Sequence, residues 1–243
     1  RNEENRGFGP ANNQAAAQAR GEYLLLLNND TEPQFGFLER LVAALDADPG
    51  LGAATARLFA PGGELLEAGA VVNLDATCTN RGRGAPGGIH SYREPVEVDY
   101  ASACCLLVRR DTFRAAGGFD PRYAPAYYED VDLCMALRRQ GWRLAVVPEA
   151  ACLHAESVTA RHLTGHESRR LRLQEEARQK FLAKWRDGFL GGAGVDAAGE
   201  AGGAAAVVVS PAAGAPVAAI GTPAVASPAA RAADAEAAAL AAA

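Results

Sequence analysis

A short, continuously apolar run near the start of the chain constrains its fold more than any other feature. Residues 23–27 are a tyrosine and four leucines, and the polar residues Asn28, Asn29 and Asp30 follow at once. A strand that is buried on both faces has this pattern, because neither face needs polar side chains. Strands of this kind belong to sheets that helices cover on both sides. The run therefore predicts a central strand of an α/β domain.

Helical and extended patterns alternate along the chain after this run. Apolar residues recur at helical spacing from Phe37 to Leu45, and Asp111 is predicted to cap a helix that stops at Gly117. The other predicted helices are 11–20, 129–140 and 168–185; the predicted strands are 23–27, 51–59, 64–73, 100–108, 142–147 and 151–154, with a loop at 74–98. This alternation predicts an α/β fold in which helices flank a mixed, mostly parallel sheet.

The composition changes near residue 188, which divides the chain into a domain at 1–187 and a tail at 188–243. The tail consists mainly of alanine, glycine, proline and valine. Because so few large apolar side chains could be buried, little would offset the entropy of ordering it, and we predict disorder. Prolines interrupt its apolar stretch, so neither a membrane-spanning helix nor a signal peptide is expected.

Charge and cysteine content exclude two classes of protein. The formal net charge of −5 argues against a general nucleic-acid binder, which normally carries a basic excess. The five cysteines have no Cys-x-x-Cys spacing, so neither a zinc site nor a disulfide framework is expected. A reducing, cytoplasmic setting is the interpretation that fits.

The polar trio after the first apolar run lies where ligands bind in open α/β sheets, beyond the carboxyl end of a strand. One carboxylate with amide oxygens is a sparse ligand set, which Mg²⁺ or Mn²⁺ completes with water and substrate phosphates. Asp30 is the natural ligand in this set. The alternative is an Asx turn that leads into the next helix.

Three carboxylates occur within four residues at the start of the helix predicted at 129–140. Asp130 and Glu129 are both placed to accept a proton from a substrate hydroxyl as a general base. Asp132 adds a third negative charge, and clustered like charges raise the proton affinity of one member. Simple stabilisation of the helix dipole is the alternative.

His154 ends the last predicted strand, where an imidazole can complete a metal site or serve only the structure. A basic excess follows: residues 161–186 contain eight Lys or Arg and three Glu. This excess could hold a diphosphate, or it could be a solvated helix face.

The order of these motifs resembles glycosyltransferase family 2, which has the GT-A fold, and in particular its rhamnosyltransferase-like branch. The resemblance runs from about residue 2 to residue 185. The matching segments are 5–13, which is similar to the family's nucleotide-side loop; 28–30, similar to its DxD-type motif; 117–120, similar to its acceptor-side loop; 129–130, similar to its catalytic pair; His154, similar to its late metal ligand; and 181–185, similar to its closing segment.

This resemblance implies an inverting transfer of a sugar from a nucleoside diphosphate donor, such as a UDP- or dTDP-sugar, to a hydroxyl of a glycan or lipid-linked glycan in polysaccharide synthesis. It implies these roles: donor binding by Asn5, Gly7, Phe8, Asn13, Asn28, Asn29 and Asp30; acceptor binding by Gly118, Phe119 and Asp120; catalysis by Asp130 and Glu129; and Mg²⁺ or Mn²⁺ binding by Asp30 and His154. A cytoplasmic protein held at the inner face of the membrane through its acceptor is the matching expectation.

The sequence departs from the family pattern in two places. Asn28 replaces the first acid of the DxD-type motif, so metal binding is expected to depend on Asp30 and His154. The family's opening strands have no counterpart ahead of residue 1, which predicts an N-terminally truncated chain. The alternative function is a non-catalytic remnant that binds glycans. A nucleotidyltransferase is disfavoured because residues 5–13 contain no lysine.

Overall fold

The computed structural model describes residues 2–84, 92–155 and 167–189 of the chain. The helices are α1 (Phe8–Gln18), α2 (Phe37–Ala47), α3 (Arg110–Ala115), α4 (Glu129–Arg139) and α5 (Glu167–Phe189), and a short 3-10 helix covers Pro121–Tyr123. The strands are β1 (Tyr23–Leu27), β2 (Thr31–Pro33), β3 (Leu51–Phe59), β4 (Leu65–Glu67), β5 (Ala70–Val72), β6 (Cys78–Asn80), β7 (Val96–Glu97), β8 (Cys105–Arg109) and β9 (Arg143–His154). The predicted tail at 188–243 lies outside the described residues from residue 190 onward.

Seven of the described strands form one mixed sheet, and β5 pairs with β6 in a separate ribbon. The order across the sheet is β1-β8-β3-β9-β2, with β4 beside β3 and β7 beside β9. Among the described strands, β3 and β9 are the one parallel pair, and the other pairs are antiparallel. The mixed α/β fold is as predicted, but the prediction of a mostly parallel sheet is wrong, because most of the described pairs are antiparallel.

The insertion of one strand explains this correction. β1, β3 and β9 all run in the same direction, as the alternation of strands and helices predicted. β8 lies between β1 and β3 and runs against both. Two strands that share a direction are therefore not neighbours, and the hydrophobic pattern of β1 cannot reveal where a strand about 80 residues later along the chain will pair.

β1 is packed on both faces, as its unbroken apolar pattern predicted. On one face Leu24 and Leu26 join a core with Phe113, Phe119, Leu133 and Leu137, among others. On the other face Tyr23 and Leu25 pack against a core that contains Phe37, Leu41 and Leu45 of α2. The strand therefore connects the two layers of helices that cover the sheet.

Several predicted elements differ from the structure. The predicted loop at 74–98 contains β6 and β7, and the strand predicted at 100–108 begins only at Cys105. The strand predicted at 64–73 is divided into β4 and β5 at Gly69, whose φ of +75° is in the left-handed region and where an added Cβ would lie 2.4 Å from Val98 and 2.9 Å from Val146. The two strands predicted at 142–147 and 151–154 are one strand, β9. Its register against β3 jumps from Val147 to Ala151, so the three residues between them, including the proline, bulge without ending the strand.

Asp111 does not cap α3 as predicted. The N-cap is Arg109, and Asp111 lies inside the first helical turn, where its charge still faces the positive end of the helix dipole. At the other end of the chain, Ala177, Phe181 and Trp185 of α5 are buried against Tyr123 and Met135, among others, as their four-residue spacing predicted. None of the described helices combines the length and apolar character that a membrane span requires.

Candidate active site

The carboxyl ends of β1, β3 and β9 and the amino end of β8 meet at one edge of the sheet. Two groups of polar side chains lie there, and the segment that carries each group is hydrogen-bonded to one of two neighbouring residues, Ala103 and Cys104. The amide of Ala103 donates to Asp130 of α4 at 3.2 Å, and the amide of Asn28 donates to the carbonyl of Cys104 at 2.9 Å. The segment that leads into β8 thus joins the start of α4 to the loop after β1.

Asp130 is a half-buried carboxylate held by three donors. Its Oδ2 accepts hydrogen bonds from the Tyr100 hydroxyl and the Ala103 amide, each at 3.2 Å, and its Oδ1 accepts one from the Val131 amide at 2.9 Å. Burial raises the pKa of Asp130, and the hydrogen bonds from Ala103, Val131 and Tyr100 work in the opposite direction by stabilising the charged form. Burial therefore increases the basicity of Asp130, while three hydrogen bonds favour its charged form.

Glu129, the other member of the predicted catalytic pair, has a different environment. It is 8% exposed, and its Oε2 is buried without a hydrogen bond among the described residues. Burial, and next the charge of Asp130, raise the pKa of Glu129. A carboxyl in this position holds a proton more tightly than its neighbour does. The two acids are thus separated by their surroundings, with the charge favoured on Asp130.

Replacing Glu129 with glutamine is expected to make stability less dependent on pH. The stability that protonated Glu129 contributes is complete below the unfolded-state pKa of about 4.3 and is lost as pH rises through the raised folded-state pKa. Glu129→Gln should therefore gain stability over the parent protein as pH rises from about 4, measured by urea unfolding. Glu39→Gln, the same change at an exposed residue of α2, is the matched control. A stability difference that is constant across this range would contradict the prediction.

Asp132 belongs to the acidic cluster in the sequence, but its side chain contacts residues other than those around Asp130. It is 2% exposed, and its oxygens accept hydrogen bonds from the Tyr123 hydroxyl at 3.0 Å, the Trp185 indole at 2.8 Å and the Lys184 ammonium at 2.7 Å. Lys184 also pairs with Asp120 at 2.9 Å. Asp132 therefore links α4 to α5, and these three hydrogen bonds give it a structural role.

The start of α4 is held by two tyrosines in unusual backbone conformations. Tyr127 and Tyr128 have φ values of 80° and 67°, a region that costs non-glycine residues about 1–3 kcal/mol. Tyr128 is kept there by a 2.7 Å hydrogen bond from its hydroxyl to the carbonyl of Ala76 and by ring contact with Phe181, 5.6 Å between centroids. This geometry brings Glu129 and Asp130 into the first helical turn, at the edge of the sheet.

Asp30 and His154 form the second group at this edge. Pairing of β2 with β9 brings them together, and Asp30 Oδ1 lies 3.3 Å from His154 Nε2. Their side chains are 10% and 15% exposed. This contact lies at ion-pair distance but lacks hydrogen-bond geometry, so Asp30 Oδ1 is a buried oxygen with unsatisfied hydrogen-bonding capacity.

This pair fits a divalent cation. Two ligands at about 2.1 Å from one octahedral ion, at right angles to each other, lie about 3.0 Å apart, close to the observed separation. Within the three described ranges no group of three or more His, Cys, Asp or Glu is arranged for a metal. Asp30 and His154 therefore offer two positions, and oxygens of substrate or water would supply the others.

The loop between β1 and β2 sets the position of Asp30. Thr31 Oγ1 donates to the Asn28 carbonyl at 2.5 Å, and the Ala155 amide donates to the Asp30 carbonyl at 3.0 Å. Asn28 is half-buried and Asn29 is exposed. The structure places both beside the Asp30–His154 pair, and their role in donor binding stays a prediction.

The predicted donor-side loop packs against the segments that flank the acid pair. Asn5 accepts a hydrogen bond from the Gly7 amide at 2.9 Å, and Gly7 has a φ of +82°. A side chain on Gly7 would meet the carbonyl oxygen of Pro125 at 2.9 Å, so glycine is required at this close approach. Phe8 packs edge to face on Phe119, with 5.5 Å between ring centroids. The loop supports the segment before α4, and its contact with a donor stays a prediction.

Asn13 forms a clasp with a residue that is 106 positions away in sequence. Its side-chain amide donates to the Phe119 carbonyl at 2.7 Å and accepts from the Phe119 amide at 2.9 Å. Gly118 has a φ of +68°, and a Cβ there would lie 2.6 Å from Asn13 Oδ1. The clasp accounts for the glycine before Phe119 and gives Asn13 a structural role beside its predicted one.

The predicted acceptor-side residues differ in what they can reach. Phe119 is fully buried, so its side chain is part of the core. Asp120 is half-buried and pairs with Arg122 at 2.8 Å and with Lys184. Burial works against its ionisation, but hydrogen bonds from Lys184 and Arg122 hold the pKa of Asp120 below its ordinary value. Acceptor binding by Gly118, Phe119 and Asp120 stays a prediction.

Tyr100 and Glu67 are site residues that sequence patterns missed. The sequence predicts that Tyr100 begins a strand, but β8 begins only at Cys105, and the Tyr100 side chain reaches α4 instead. Glu67 is 4% exposed and accepts from the Ser102 amide at 3.1 Å. In the sequence, the polar residues Tyr100 and Ser102 at the amino end of a long apolar run were the signal that could have indicated this site.

Residues 1–115 match the model of the family described as glycosyl transferase family 2. The N-acetylglucosaminyl-diphospho-decaprenol L-rhamnosyltransferase of Mycobacterium tuberculosis is 45% identical over 80 residues, 30% of this chain and 26% of that protein. The O-antigen biosynthesis protein RfbC of Myxococcus xanthus is 32% identical over 162 residues, 62% of this chain and 12% of that protein. This chain therefore spans only part of the length of either relative.

A solved structure shares the fold. The crystal structure of GalNAc-T7 with UDP, GalNAc and Mn²⁺ superposes with a TM-score of 0.53 at 19% sequence identity, over 63% of this chain and 31% of that chain. The likeness shows a GT-A-like fold, in agreement with the fold that the sequence motifs predicted.

Proposed function

Because residues 1–115 match the model of glycosyl transferase family 2, we propose that the chain transfers a sugar from a nucleoside diphosphate donor to a hydroxyl of a glycan acceptor, with inversion at the anomeric carbon. The observation that carries the proposal is the convergence of two unlike groups at one edge of the sheet. The segment that leads into β8 donates the Ala103 amide to Asp130, and its Cys104 carbonyl accepts the amide of Asn28, in the loop that carries Asp30.

Asp30 and His154 hold the donor side of the site in this proposal. A bound Mg²⁺ or Mn²⁺ would act as a Lewis acid that offsets the charge of the departing nucleoside diphosphate. The sparse protein ligand set supports this role, because such ions take further oxygens from substrate phosphates. In this proposal Asn28 and Asn29, in the loop that carries Asp30, contact the same donor.

Asp130 acts on the acceptor side. Its carboxylate takes the proton of the acceptor hydroxyl while the hydroxyl oxygen attacks the anomeric carbon from the face opposite the diphosphate. A new carbon–oxygen bond forms, the bond to the diphosphate oxygen breaks, and the proton remains on Asp130. A single displacement of this kind inverts the anomeric configuration.

The class of acceptor follows from the named relatives. One is a rhamnosyltransferase whose name specifies an N-acetylglucosaminyl-diphospho-decaprenol, and the other is an O-antigen biosynthesis protein. We therefore propose a glycan or lipid-linked glycan as acceptor, a UDP- or dTDP-sugar as donor, and a place in the synthesis of a cell-surface polysaccharide. A cytoplasmic setting at the inner face of the membrane is part of the same proposal.

A transfer assay tests this function. The intact protein is incubated with a panel of UDP- and dTDP-sugars and a short-chain prenyl-diphosphate-linked N-acetylglucosamine, with and without Mn²⁺. The expected result is metal-dependent release of nucleoside diphosphate, with a product whose anomeric configuration is opposite to that of the donor. A product of retained configuration would overturn the inverting mechanism. Binding of the prenyl-linked sugar without turnover of any donor would support the glycan-binding alternative.

Removing either member of the Asp30–His154 pair is expected to weaken metal-dependent donor binding. Asp30→Ala and His154→Ala should each raise the Kd for UDP measured by calorimetry at fixed Mn²⁺. Part of the loss should be recovered at higher Mn²⁺ through mass action. Asp111→Ala, which removes an exposed carboxylate at the opposite edge of the sheet, is the control. Equal Kd values with and without Mn²⁺ in the parent protein would contradict the metal assignment.

A further inference from the structure

Tyr100 lies outside the named strands, but hydrogen bonds of its backbone and side chain fix its position. Its backbone exchanges two hydrogen bonds with Ala70 of β5, at 2.9 and 3.3 Å. From this anchored backbone its hydroxyl reaches α4 and donates to Asp130 Oδ2 at 3.2 Å. The Ala103 amide donates to the same oxygen at 3.2 Å. The Tyr100 hydroxyl and the Ala103 amide, which belong to one segment, thus both donate to the same carboxylate oxygen.

The oxygens of Asp130 are therefore not equivalent. Oδ2 receives the Tyr100 and Ala103 donors, while Oδ1 receives the amide of Val131, the next residue in the helix. A carboxylate oxygen has two lone-pair positions, so Oδ2 is saturated by its two donors. The oxygen that retains capacity for a new proton is Oδ1.

We propose that Tyr100 is a positioning residue for sugar transfer: together with the Ala103 amide it holds Asp130 Oδ2 inward, so that Oδ1 is the oxygen that accepts the proton of the acceptor hydroxyl. This inference rests on the proposed function of Asp130 as general base. Tyr100 touches neither donor nor acceptor in this role and acts through Asp130.

The surroundings of Asp130 keep Tyr100 in its donor form. Burial, and then the charges of Asp130 and Glu67, raise the pKa of Tyr100 well above its ordinary value. The titratable groups that interact with Asp130 are Glu129 and Cys134 of α4, Tyr100 and Cys104 before β8, and Cys78 of β6; the charge of Glu67 of β4 acts on Tyr100 and on the three thiols as well. Burial raises the pKa of each of the three thiols, so the thiols stay neutral near pH 7. The hydroxyl of Tyr100 therefore keeps its proton near neutral pH and can donate it in a hydrogen bond to Asp130.

A titration that needs no turnover tests the proposal. The carboxyl carbon resonances of isotope-labelled aspartate are followed by NMR against pH, and Asp130 is assigned as the resonance lost in Asp130→Asn. Tyr100→Phe should raise the pKa of Asp130 by about one unit, the tenfold change expected when a carboxylate loses one charge-assisted hydrogen bond. The acid limb of the kcat/KM profile for transfer should move up in pH by the same amount.

A second variant covers the case in which Tyr100→Phe does not fold. Replacing Tyr100 with 3-fluorotyrosine keeps its size and strengthens its hydroxyl as a donor, so the pKa of Asp130 should move in the opposite direction. Tyr23→Phe is the matched control, since Tyr23 donates its hydroxyl to Asp46 at the far edge of the sheet. In this control the titration of Asp130 should not change.

The outcomes separate this inference from the function on which it rests. If neither Tyr100 variant shifts the titration of Asp130, the positioning role is overturned, whatever the activity. If Tyr100→Phe lowers kcat equally at every pH without moving the acid limb, Tyr100 supports the structure alone and the proposal is again overturned. If Tyr100→Phe shifts the titration but Asp130→Asn remains active, the positioning contact is real and the assignment of Asp130 as base fails.

Discussion

Replacing Asp130 with asparagine is expected to lower the rate of sugar transfer by about 100- to 10,000-fold, the usual cost of removing a positioned general base. The amide keeps the shape of the side chain, so the contact with Tyr100 can persist while the basic oxygen is lost. Donor binding should survive, because the proposed donor site is at Asp30 and His154 and not at Asp130. The measurement is kcat for transfer alongside the Kd for UDP. A variant that keeps more than about a tenth of the parent rate would show that Asp130 is not the base.

Glu129→Gln is the matched comparison, since it makes the same change at the adjacent acid. The structure favours Asp130 because three donors stabilise its charged form, whereas Glu129 is 8% exposed and its Oε2 has no hydrogen bond among the described residues. A neutral carboxyl in that position cannot accept a proton. The rate loss in Glu129→Gln should therefore be the smaller of the two, and a larger loss would reverse the assignment.

Replacing Asp132 with alanine is expected to lower the free energy of unfolding by about 2–6 kcal/mol, since each of two buried donors left without an acceptor costs about 1–3 kcal/mol. Asp132 is 2% exposed, and its loss leaves the Trp185 indole and the Tyr123 hydroxyl without their acceptor, while the Lys184 ammonium keeps only its contact with Asp120. Urea unfolding at neutral pH measures the change. A loss below about 1 kcal/mol, the value of a surface pair, would contradict the role of Asp132 as the link between α4 and α5.

Asp120→Ala provides the internal control for this measurement. It removes the other carboxylate partner of Lys184, but Asp120 is more exposed than Asp132 and holds neither the indole of Trp185 nor the hydroxyl of Tyr123. We expect a loss of about 1 kcal/mol, in keeping with pairs that solvent screens. Equal losses in the two variants would indicate that the Lys184 ammonium alone, and not the set of three donors, stabilises this contact.

The elements that hold the site could be predicted because their signals are local. The apolar run of β1 is a pattern of neighbouring residues, and so are the four-residue spacing of α5 and the start of α4 at Glu129. Asp30 and His154 lie at strand ends in the sequence pattern and at the ends of β1 and β9 in the fold. Features that depend on residues a few positions apart in the sequence could therefore be predicted from the sequence alone.

What the sequence by itself determined is the class of side chain and its place on an element: carboxylates in the first turn of α4, Asp30 just beyond β1 and His154 at the end of β9. Tertiary structure alone decided which of these side chains meet. Asp130 and Asp132 are two residues apart on a helix, so they point about 200° apart, and one faces Tyr100 while the other faces Trp185. The clasp of Asn13 on Phe119 joins residues 106 positions apart, and β8 enters the sheet between two earlier elements. No local pattern contains these pairings, because the free energy that selects them comes from burial and hydrogen bonding between distant segments.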